Sequence, residues 1–350
     1  MKSFIKNIFQ EGYSSPVFFI AEIGVNHGGS ISRAKKMIDA ARLSGANAVK
    51  FQTFLADKLV LKKTPKVLYQ KNTTKKNETH FEMIKSLELN FKNHKILKDY
   101  CDKKKIEFMS TPYDVDSAKF LSKLGCKIFK TASADIVDLE LHEYLAKTKK
   151  FVIISTGMSN LSEIEDCIKI YRKYKNKNFL LLHCVSNYPC LDGSLNMSVL
   201  PLLKSKFNCQ VGLSDHSVGY LPSVISVSLG AKVIEKHFTL NKNFKGPDHK
   251  ASSLPNEFLN MVKKINETKK IMGKRKKECQ PEEYNMRKIA RKSITLKINL
   301  KKGQILKLKH ICLKRPGNGI YYKNKTKIIG KKAKRNLYED YQPKLTDFKN

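Results

Sequence analysis

KVIEKH at residues 232–237 contains the apolar pair VI and ends in polar residues, and strand-like runs that lead into polar residues occur eight times in the first 240 residues. The eight runs occupy residues 17–21, 46–51, 106–110, 127–131, 151–155, 179–184, 209–213 and 232–237. Each run has the length and apolar character of a buried strand, and amphipathic helical patterns separate the runs. Eight successive strand–helix units predict an α/β fold of the (β/α)8 TIM-barrel class.

Polar residues collect at the C-terminal ends of these runs, where barrels of this class carry their chemistry. They are Glu22, Asn26, His27, Lys50, Gln52, Ser110, Thr111, Lys130, Ser133, Ser155, His183, Ser186, Ser214, His216, Glu235 and His237. A single strand-end serine or threonine often only starts a loop or caps a helix. A complete ring of polar residues at one rim is instead typical of a binding site.

The chain is longer than one barrel requires. A barrel takes about 250 residues, and the chain has 350. We therefore assign a catalytic barrel to residues 1–273, in which a Lys- and Asn-rich stretch at 53–80 is interpreted as part of a lid or rim. Residues 274–288 are charged and contain a proline, which predicts a linker. Short β-like runs then predict a small β-rich domain at 289–350.

Composition restricts the class of partner. The net charge is +37, but Lys supplies 60 of the 68 basic residues and is spread along the whole chain. This even distribution argues against a nucleic-acid partner and suits an anionic small substrate. The eight cysteines form no CxxC pair, and the start MKSFIKNIF lacks a long apolar segment, so we expect a cytoplasmic protein with reduced thiols. No apolar run approaches ~20 residues, so no membrane span is expected.

Two histidines, His216 and His237, follow the seventh and eighth runs. Imidazoles on adjacent strand ends can share one divalent metal ion and leave coordination positions open. Asp215 and Glu235 stand beside them in sequence as candidates to orient the ligands. The alternative is that both histidines only make hydrogen bonds at the rim.

Lysines and hydroxyl groups at the same rim suit a small, doubly anionic ligand. Lys50 and Lys130 should point into one barrel mouth. The hydroxyls beside them come from Thr111, Ser133, Ser155, Ser186 and Ser214. A second polar set suits a polyhydroxylated sugar, and consists of Glu22, Gln52, Tyr188 and Asp248. Glu22 is a candidate general acid or base.

Cys184 follows His183 directly, which raises the question of a thiol–imidazole nucleophile. Neighbours on a strand point to opposite faces. We therefore do not expect these two side chains to act together.

Nine motifs, in order along the chain, resemble those of the N-acetylneuraminate (sialic acid) synthase family. They are IAEIGVNHGG, KFQ, STP, FKTASADI, ISTGM, LLHCVSNYP, GLSDHS, IEKHFT and GPDHKAS. The tail KSITLKINLKKGQILKLKHICLKRPGNGI is similar to that family's C-terminal antifreeze-like SAF domain. Ser186 and Asp135 depart from the family pattern, in which Asn and Glu stand at these positions.

The resemblance implies condensation of phosphoenolpyruvate with N-acetylmannosamine or a related N-acylated mannosamine, giving a nine-carbon 2-keto acid and phosphate. It assigns a divalent ion, Mn²⁺ with Mg²⁺ or Co²⁺ as alternatives, to His216 and His237. It assigns phosphoenolpyruvate to Lys50, Thr111, Lys130, Ser133, Ser155, Ser186 and Ser214. It assigns the sugar to Glu22, Gln52, Tyr188 and Asp248, with Glu22 or Asp248 as acid/base. It also implies a domain-swapped homodimer in which Arg315 reaches the N-acyl group from the other subunit.

Three other functions remain open. Within the family, the sugar can be a 2,4-diacetamido-trideoxyhexose leading to legionaminic or pseudaminic acid. Outside it, a 3-deoxy-keto acid aldolase-type barrel would use phosphoenolpyruvate with a sugar phosphate, although the SAF-like tail argues against this. A carbohydrate- or ice-binding module is the non-enzymatic alternative, which the intact polar rim disfavours.

Overall fold

The chain forms two compact units, Met1–Lys274 and Arg275–Asn350. The structure is a computed structural model that describes residues 8, 12, 15–75 and 77–350. The start MKSFIKNIF, apart from Ile8, lies outside the described residues. Among the described residues, no helix is both long enough and apolar enough to cross a membrane.

The first unit contains eight parallel strands in one sheet. They are β1 Phe18–Gly24, β2 Ala48–Thr53, β3 Glu107–Pro112, β4 Ile128–Thr131, β5 Phe151–Ser155, β6 Phe179–Cys184, β7 Gln210–Asp215 and β8 Val233–His237. The hydrogen-bonded order is β3-β2-β1-β8-β7-β6-β5-β4. The two end strands, β3 and β4, lie next to each other and nearly close the ring. The predicted (β/α)8 TIM barrel is therefore confirmed.

Helices follow the strands as the sequence pattern indicates. They are α1 Ile31–Leu43, α2 Ala56–Leu59, α3 Leu68–Thr73, α4 His80–Leu87, α5 Phe91–Lys104, α6 Val115–Lys123, α7 Leu139–Lys147, α8 Leu161–Lys173, α9 Val199–Phe207, α10 Leu221–Ser228 and α11 Pro255–Met272. Helix α1 begins where the Ser30 side chain accepts a hydrogen bond from the Arg33 N–H. Its buried face, which includes Met37 and Ile38, packs into the layer between strands and helices.

Alternation along the strands separates the barrel interior from the helix layer. Ile20, Ala48 and Ile128 belong to the apolar core inside the barrel, while Phe19 and Val49 pack outward against the helices. The next inward position on each strand is two residues further on. In β1, β2 and β4 that position holds Glu22, Lys50 and Lys130. The polar rim is therefore the direct continuation of the apolar interior.

Gly212 of β7 lies close to the backbone of β8. A Cβ at this position would lie 2.4 Å from the backbone oxygen of Val233 in β8. Only glycine fits such a contact. This close packing brings together β7, which His216 follows directly, and β8, which ends at His237.

The stretch after β2, predicted to be a long loop at 53–80, instead contains helices α2 and α3 and reaches α4. We call residues 54–88 the insertion. It has its own small core, in which Phe54, Met83 and Ile84 are buried. The N-terminus of α4 carries a capping box between Thr79 and Glu82. The Lys- and Asn-rich composition of the stretch hid these few core positions.

The second unit contains two short antiparallel strand pairs. Strands β9 Ser293–Leu296 and β10 Ile311–Lys314 pair antiparallel, as do β11 Lys332–Ala333 and β12 Phe348–Lys349. Its core is formed by Ile294, Leu296, Leu300, Leu306, Ile311, Ile328, Ala333, Leu337 and Phe348. Within the segment predicted to be a linker at 274–288, a 3-10 helix at Pro281–Glu283 leads into α12 Tyr284–Ala290. Arg315 is exposed on the turn after β10.

Two aliphatic residues on helix α1 test this account of the core. Ile38 is fully buried, whereas Leu43 is 77% exposed. We expect Ile38→Ala to lower the free energy of unfolding by about 2–5 kcal/mol because it leaves a cavity. Leu43→Ala should change it by less than about 0.5 kcal/mol. Denaturant unfolding of both variants checks this, and equal losses would contradict the assigned buried face.

Candidate active site

A cavity of about 630 Å³ opens at the C-terminal ends of the barrel strands. It brings together thirteen of the fourteen predicted site residues: Glu22, Lys50, Gln52, Thr111, Lys130, Ser133, Ser155, Ser186, Tyr188, Ser214, His216, His237 and Asp248. The fourteenth, Arg315, belongs to the second unit. Of the sixteen polar rim residues, twelve line the cavity, whereas Asn26, His27, Ser110 and His183 do not.

Four buried charged side chains form a cluster on the cavity floor. The Lys50 Nζ atom lies 2.8 Å from Glu22 Oε2 and 3.8 Å from Glu235 Oε2, and it donates a hydrogen bond to Thr111 Oγ1 at 3.0 Å. The Lys130 Nζ atom lies 3.4 Å from Glu235 Oε1. Glu235, expected only to orient a metal ligand, thus faces both lysines.

Burial and these neighbours set the protonation of the cluster. Burial raises the pKa of Glu22 to about 7, although the ammonium of Lys50 opposes this shift. Burial also disfavours a charged Glu235, but Lys130 and Lys50 outweigh it and hold the pKa of Glu235 at about 2. Burial lowers the pKa of Lys130. Glu22 can thus exchange a proton near neutral pH.

Hydroxyl groups and a backbone N–H form a candidate anion site next to Lys130. We define it by Ser133, Ser155, Gly157 and Ser186. The Gly157 N–H donates to Ser133 Oγ at 3.1 Å. Ser155 Oγ is buried and has no hydrogen-bond partner among the described residues. A Cβ on Gly157 would lie 2.5 Å from Ser186 Oγ and 2.7 Å from Ser133 Oγ. The missing side chain therefore lets the two hydroxyls approach the Gly157 backbone closely.

The two histidines face each other in the same mouth. Their ring centroids are 5.6 Å apart. Tyr188 lies against both, with centroids 4.1 Å from the His216 ring and 5.6 Å from the His237 ring. The Nδ1 atom of His216 is 2.9 Å from the Val185 carbonyl oxygen, which leaves Nε2 toward the cavity. Asp248 Oδ2 is 4.0 Å from His237 Nδ1.

This pair fits a shared metal ion in its chemistry. Burial, together with nearby His216, lowers the pKa of His237 well below its usual value, so its imidazole is neutral and can donate a lone pair. Its Nδ1 atom is buried and has no hydrogen-bond partner among the described residues. Three or more His, Cys, Asp or Glu side chains do not converge as a preformed metal site anywhere in the described chain. A metal on this pair would therefore need substrate or water as further ligands.

Asp215 is not part of the cavity, contrary to its expected place beside the metal ligands. It points outward from β7, where its Oδ2 lies 3.0 Å from Lys236 Nζ. Its carboxylate also accepts hydrogen bonds from Ser217 and Ser223. The period of two explains the error, because His216 and His237 face the mouth and their preceding neighbours face the helices.

Cys184 is a site residue that the sequence interpretation did not assign. Its thiol lines the cavity, 3.7 Å from His216 Nδ1 and 3.5 Å from Ser133 Oγ. His183 points away, with Nε2 2.6 Å from the Leu195 carbonyl oxygen. The expectation that these neighbours diverge is thus confirmed. The alternation that excluded His183 was the signal that could have placed Cys184 inside.

Asp135 is a second unassigned group on the cavity wall. It follows β4 in a short 3-10 helix, Ser133–Val137. Burial, with Asp138 nearby, raises the pKa of its carboxyl to about 7. Its Oδ2 atom has no hydrogen-bond partner among the described residues. A buried, unpaired carboxyl beside Ser133 can hold a proton at the rim of the candidate anion site.

Comparison with known proteins identifies similar chains. A family model described as the NeuB family matches residues 37–277. The N,N'-diacetyllegionaminic acid synthase of Campylobacter jejuni is 43% identical over 323 residues, which are 92% of this chain and 97% of that protein. A pseudaminic acid synthase of Campylobacter jejuni is 33% identical over 333 residues, 95% of this chain and 97% of that protein.

A solved structure extends the likeness to the fold. The N-acetylneuraminic acid (sialic acid) synthetase of Leptospira borgpetersenii, crystallised in complex with citrate, is 37% identical to this chain. It aligns with a TM-score of 0.69 over 78% of this chain and 90% of that one. Sequence and architecture therefore point to the same group of enzymes.

The close contacts at Gly157 allow a test that needs neither phosphoenolpyruvate nor a sugar. Gly157→Ala should crowd the hydroxyls of Ser133 and Ser186 and weaken binding of inorganic phosphate by about tenfold, the loss of roughly one charge-assisted hydrogen bond. Gly193→Ala is the control, because a Cβ there meets no atom within 4 Å. Isothermal titration calorimetry of both variants decides the matter. Unchanged phosphate affinity in Gly157→Ala would rule out the anion site.

Proposed function

Because this chain belongs to the NeuB family of sialic acid synthases and is an enzyme of that transferase type, we propose that it condenses phosphoenolpyruvate with an N-acylated sugar. The products are a nine-carbon 2-keto sugar acid and phosphate. The observation that carries the proposal is that the candidate anion site beside Lys130 and the His216–His237 pair line one cavity.

Phosphoenolpyruvate occupies the side of the cavity formed by strands β4 to β6. Lys130 and the hydroxyls of Ser133, Ser155 and Ser186 take the phosphate oxygens, and the backbone N–H of Gly157 stands beside them. Lys50, Thr111 and Ser214 complete the binding set on the cavity floor. Such charge-assisted contacts fix the orientation of the phosphate and of the enol carbon attached to it.

The sugar lies over Glu22, Gln52, Tyr188 and Asp248. In this pose C3 of phosphoenolpyruvate attacks the aldehyde carbon of the open-chain sugar and forms the new C–C bond. Water then adds at C2, and phosphate leaves with cleavage of the C–O bond. Glu22, with a pKa of about 7, and Asp248, whose pKa burial raises to about 6, are the candidates to transfer the protons.

His216 and His237 are the residues that would hold a divalent ion, Mn²⁺ in the first place. Such an ion supplies Lewis-acid polarisation of the sugar aldehyde. Tyr188 packs against both imidazoles and limits their rotation.

The sugar is best matched by a 2,4-diacetamido-trideoxyhexose, the alternative to N-acetylmannosamine. The support is the 43% identity to a diacetyllegionaminic acid synthase, against 37% to the sialic acid synthetase of Leptospira borgpetersenii. The role of Arg315, the SAF identity of the second unit, the domain-swapped homodimer and the cytoplasmic location stay predictions from the sequence.

Phosphate release tests the reaction itself. The purified chain, given phosphoenolpyruvate, Mn²⁺ and either sugar, should release phosphate only when a sugar is present. Lys130→Met removes a charge-assisted contact and should raise KM for phosphoenolpyruvate at least ~10-fold. Lys127→Met is the matched control on an exposed side chain three residues away and should leave KM unchanged. The absence of sugar-dependent phosphate release with every N-acyl sugar would refute the function.

Metal binding can be measured apart from turnover. Electron paramagnetic resonance should show Mn²⁺ bound to the wild-type protein and at least ~10-fold weaker binding in His237→Gln, which removes one imidazole ligand. Chelation should abolish phosphate release, and added Mn²⁺ should restore it. Equal Mn²⁺ affinity in the two proteins would show that the ion is held elsewhere.

A further inference from the structure

The cavity has an apolar side that the residues assigned so far do not use. We call it the apolar wall and define it by Val25, Phe54, Val60, Met83 and Ile84. All five line the same cavity as the charged cluster and belong to one small hydrophobic core. A site for one anionic reactant and one polyhydroxylated sugar has no evident need for this surface.

The apolar wall stands directly above the sugar-facing residues. Phe54 comes two positions after Gln52, which is the next inward position along the chain from β2. Tyr113 comes two positions after Thr111 in the same way, and its ring meets Phe54 edge-on with centroids 5.9 Å apart. The wall therefore borders the side of the mouth formed by β1 to β3.

Contacts within the insertion hold the wall in place. The Ala56 N–H donates to Glu88 Oε2 at 3.0 Å, which ties the start of the insertion to its end. Lys85 bridges Asp57 and Glu88 at 3.1 Å each. Phe54, Met83 and Ile84 are each less than 10% exposed. The wall is thus a formed surface within the cavity.

Polar groups from the insertion are few on this side. Gln70 and His80 also line the cavity. The side-chain oxygen of Gln70 accepts a hydrogen bond from the Val67 N–H, at 3.3 Å. A sugar hydroxyl placed against Val60 and Ile84 would meet methyl groups and lose its hydrogen bonds to water, whereas a methyl group would gain by burial.

We propose that the apolar wall is the specificity-determining surface for the sugar, and that it selects a 6-deoxy hexose carrying two acylamino groups by burying its methyl groups. The inference rests on the proposed condensation. A sugar with a hydroxymethyl group in place of the C6 methyl is discriminated against, because its additional hydroxyl is desolvated without a partner. Discrimination at one methyl-sized position of an apolar pocket amounts to about 10- to 200-fold in kcat/KM.

The test compares kcat/KM for 2,4-diacetamido-2,4,6-trideoxymannose and for N-acetylmannosamine. The wild type should favour the deoxy sugar at least ~10-fold. Val60→Thr and Ile84→Thr each place a hydroxyl on the wall and should lower that ratio by at least ~5-fold, with KM for phosphoenolpyruvate unchanged. Leu61→Thr is the matched control, since Leu61 adjoins Val60 in sequence but is 81% exposed. Val60 is only partly buried, so Val60→Thr keeps the test available if Ile84→Thr does not fold.

The outcomes separate the two proposals. If neither sugar supports phosphate release in the wild type, the proposed function fails. If both sugars are used and the ratio in both wall variants equals that of the wild type and of Leu61→Thr, the function stands and the inference is overturned. A lowered ratio in the wall variants alone supports the wall as the selecting surface.

Discussion

Two ammonium groups buried in one barrel mouth are the constraint on which this site depends. Lys50 and Lys130 are almost without contact with water, so each charge requires an opposite charge nearby. The Glu235 carboxylate is a counter-ion to both lysines, and the Glu22 carboxylate is a counter-ion to Lys50. With every group ionised, the four charges sum to zero. A proton on Glu22 turns the mouth positive, so that binding of a dianion and protonation of Glu22 favour each other.

The period of two along each strand explains why so much of the site could be predicted. Once eight strands in one ring are accepted, alternation alone orients Lys50, Lys130 and Ser155 toward the same mouth. The apolar, inward-facing residues that precede them on the strands then form the core inside the barrel. The same rule correctly separated His183 from Cys184.

What could not be predicted depends on contacts between residues far apart in sequence. The close contacts at Gly157 arise because hydroxyls from the segments after β4 and β6 converge there. No local sequence pattern encodes that convergence. The insertion was obscured for a different reason. Its core needs few apolar positions, and these are scattered among lysines and asparagines that suggest a loop. Asp215 was misplaced because proximity in sequence to His216 was given more weight than strand alternation.

The outward ion pair of Asp215 and Lys236 has a consequence for how this sequence can change over generations. Loss of either partner alone leaves a lone buried charge, which costs about 3–5 kcal/mol, whereas joint replacement by apolar residues can be neutral. A single substitution at either position is therefore destabilising, whereas a paired substitution is tolerated. We therefore expect the residues at positions 215 and 236 to vary together among related sequences.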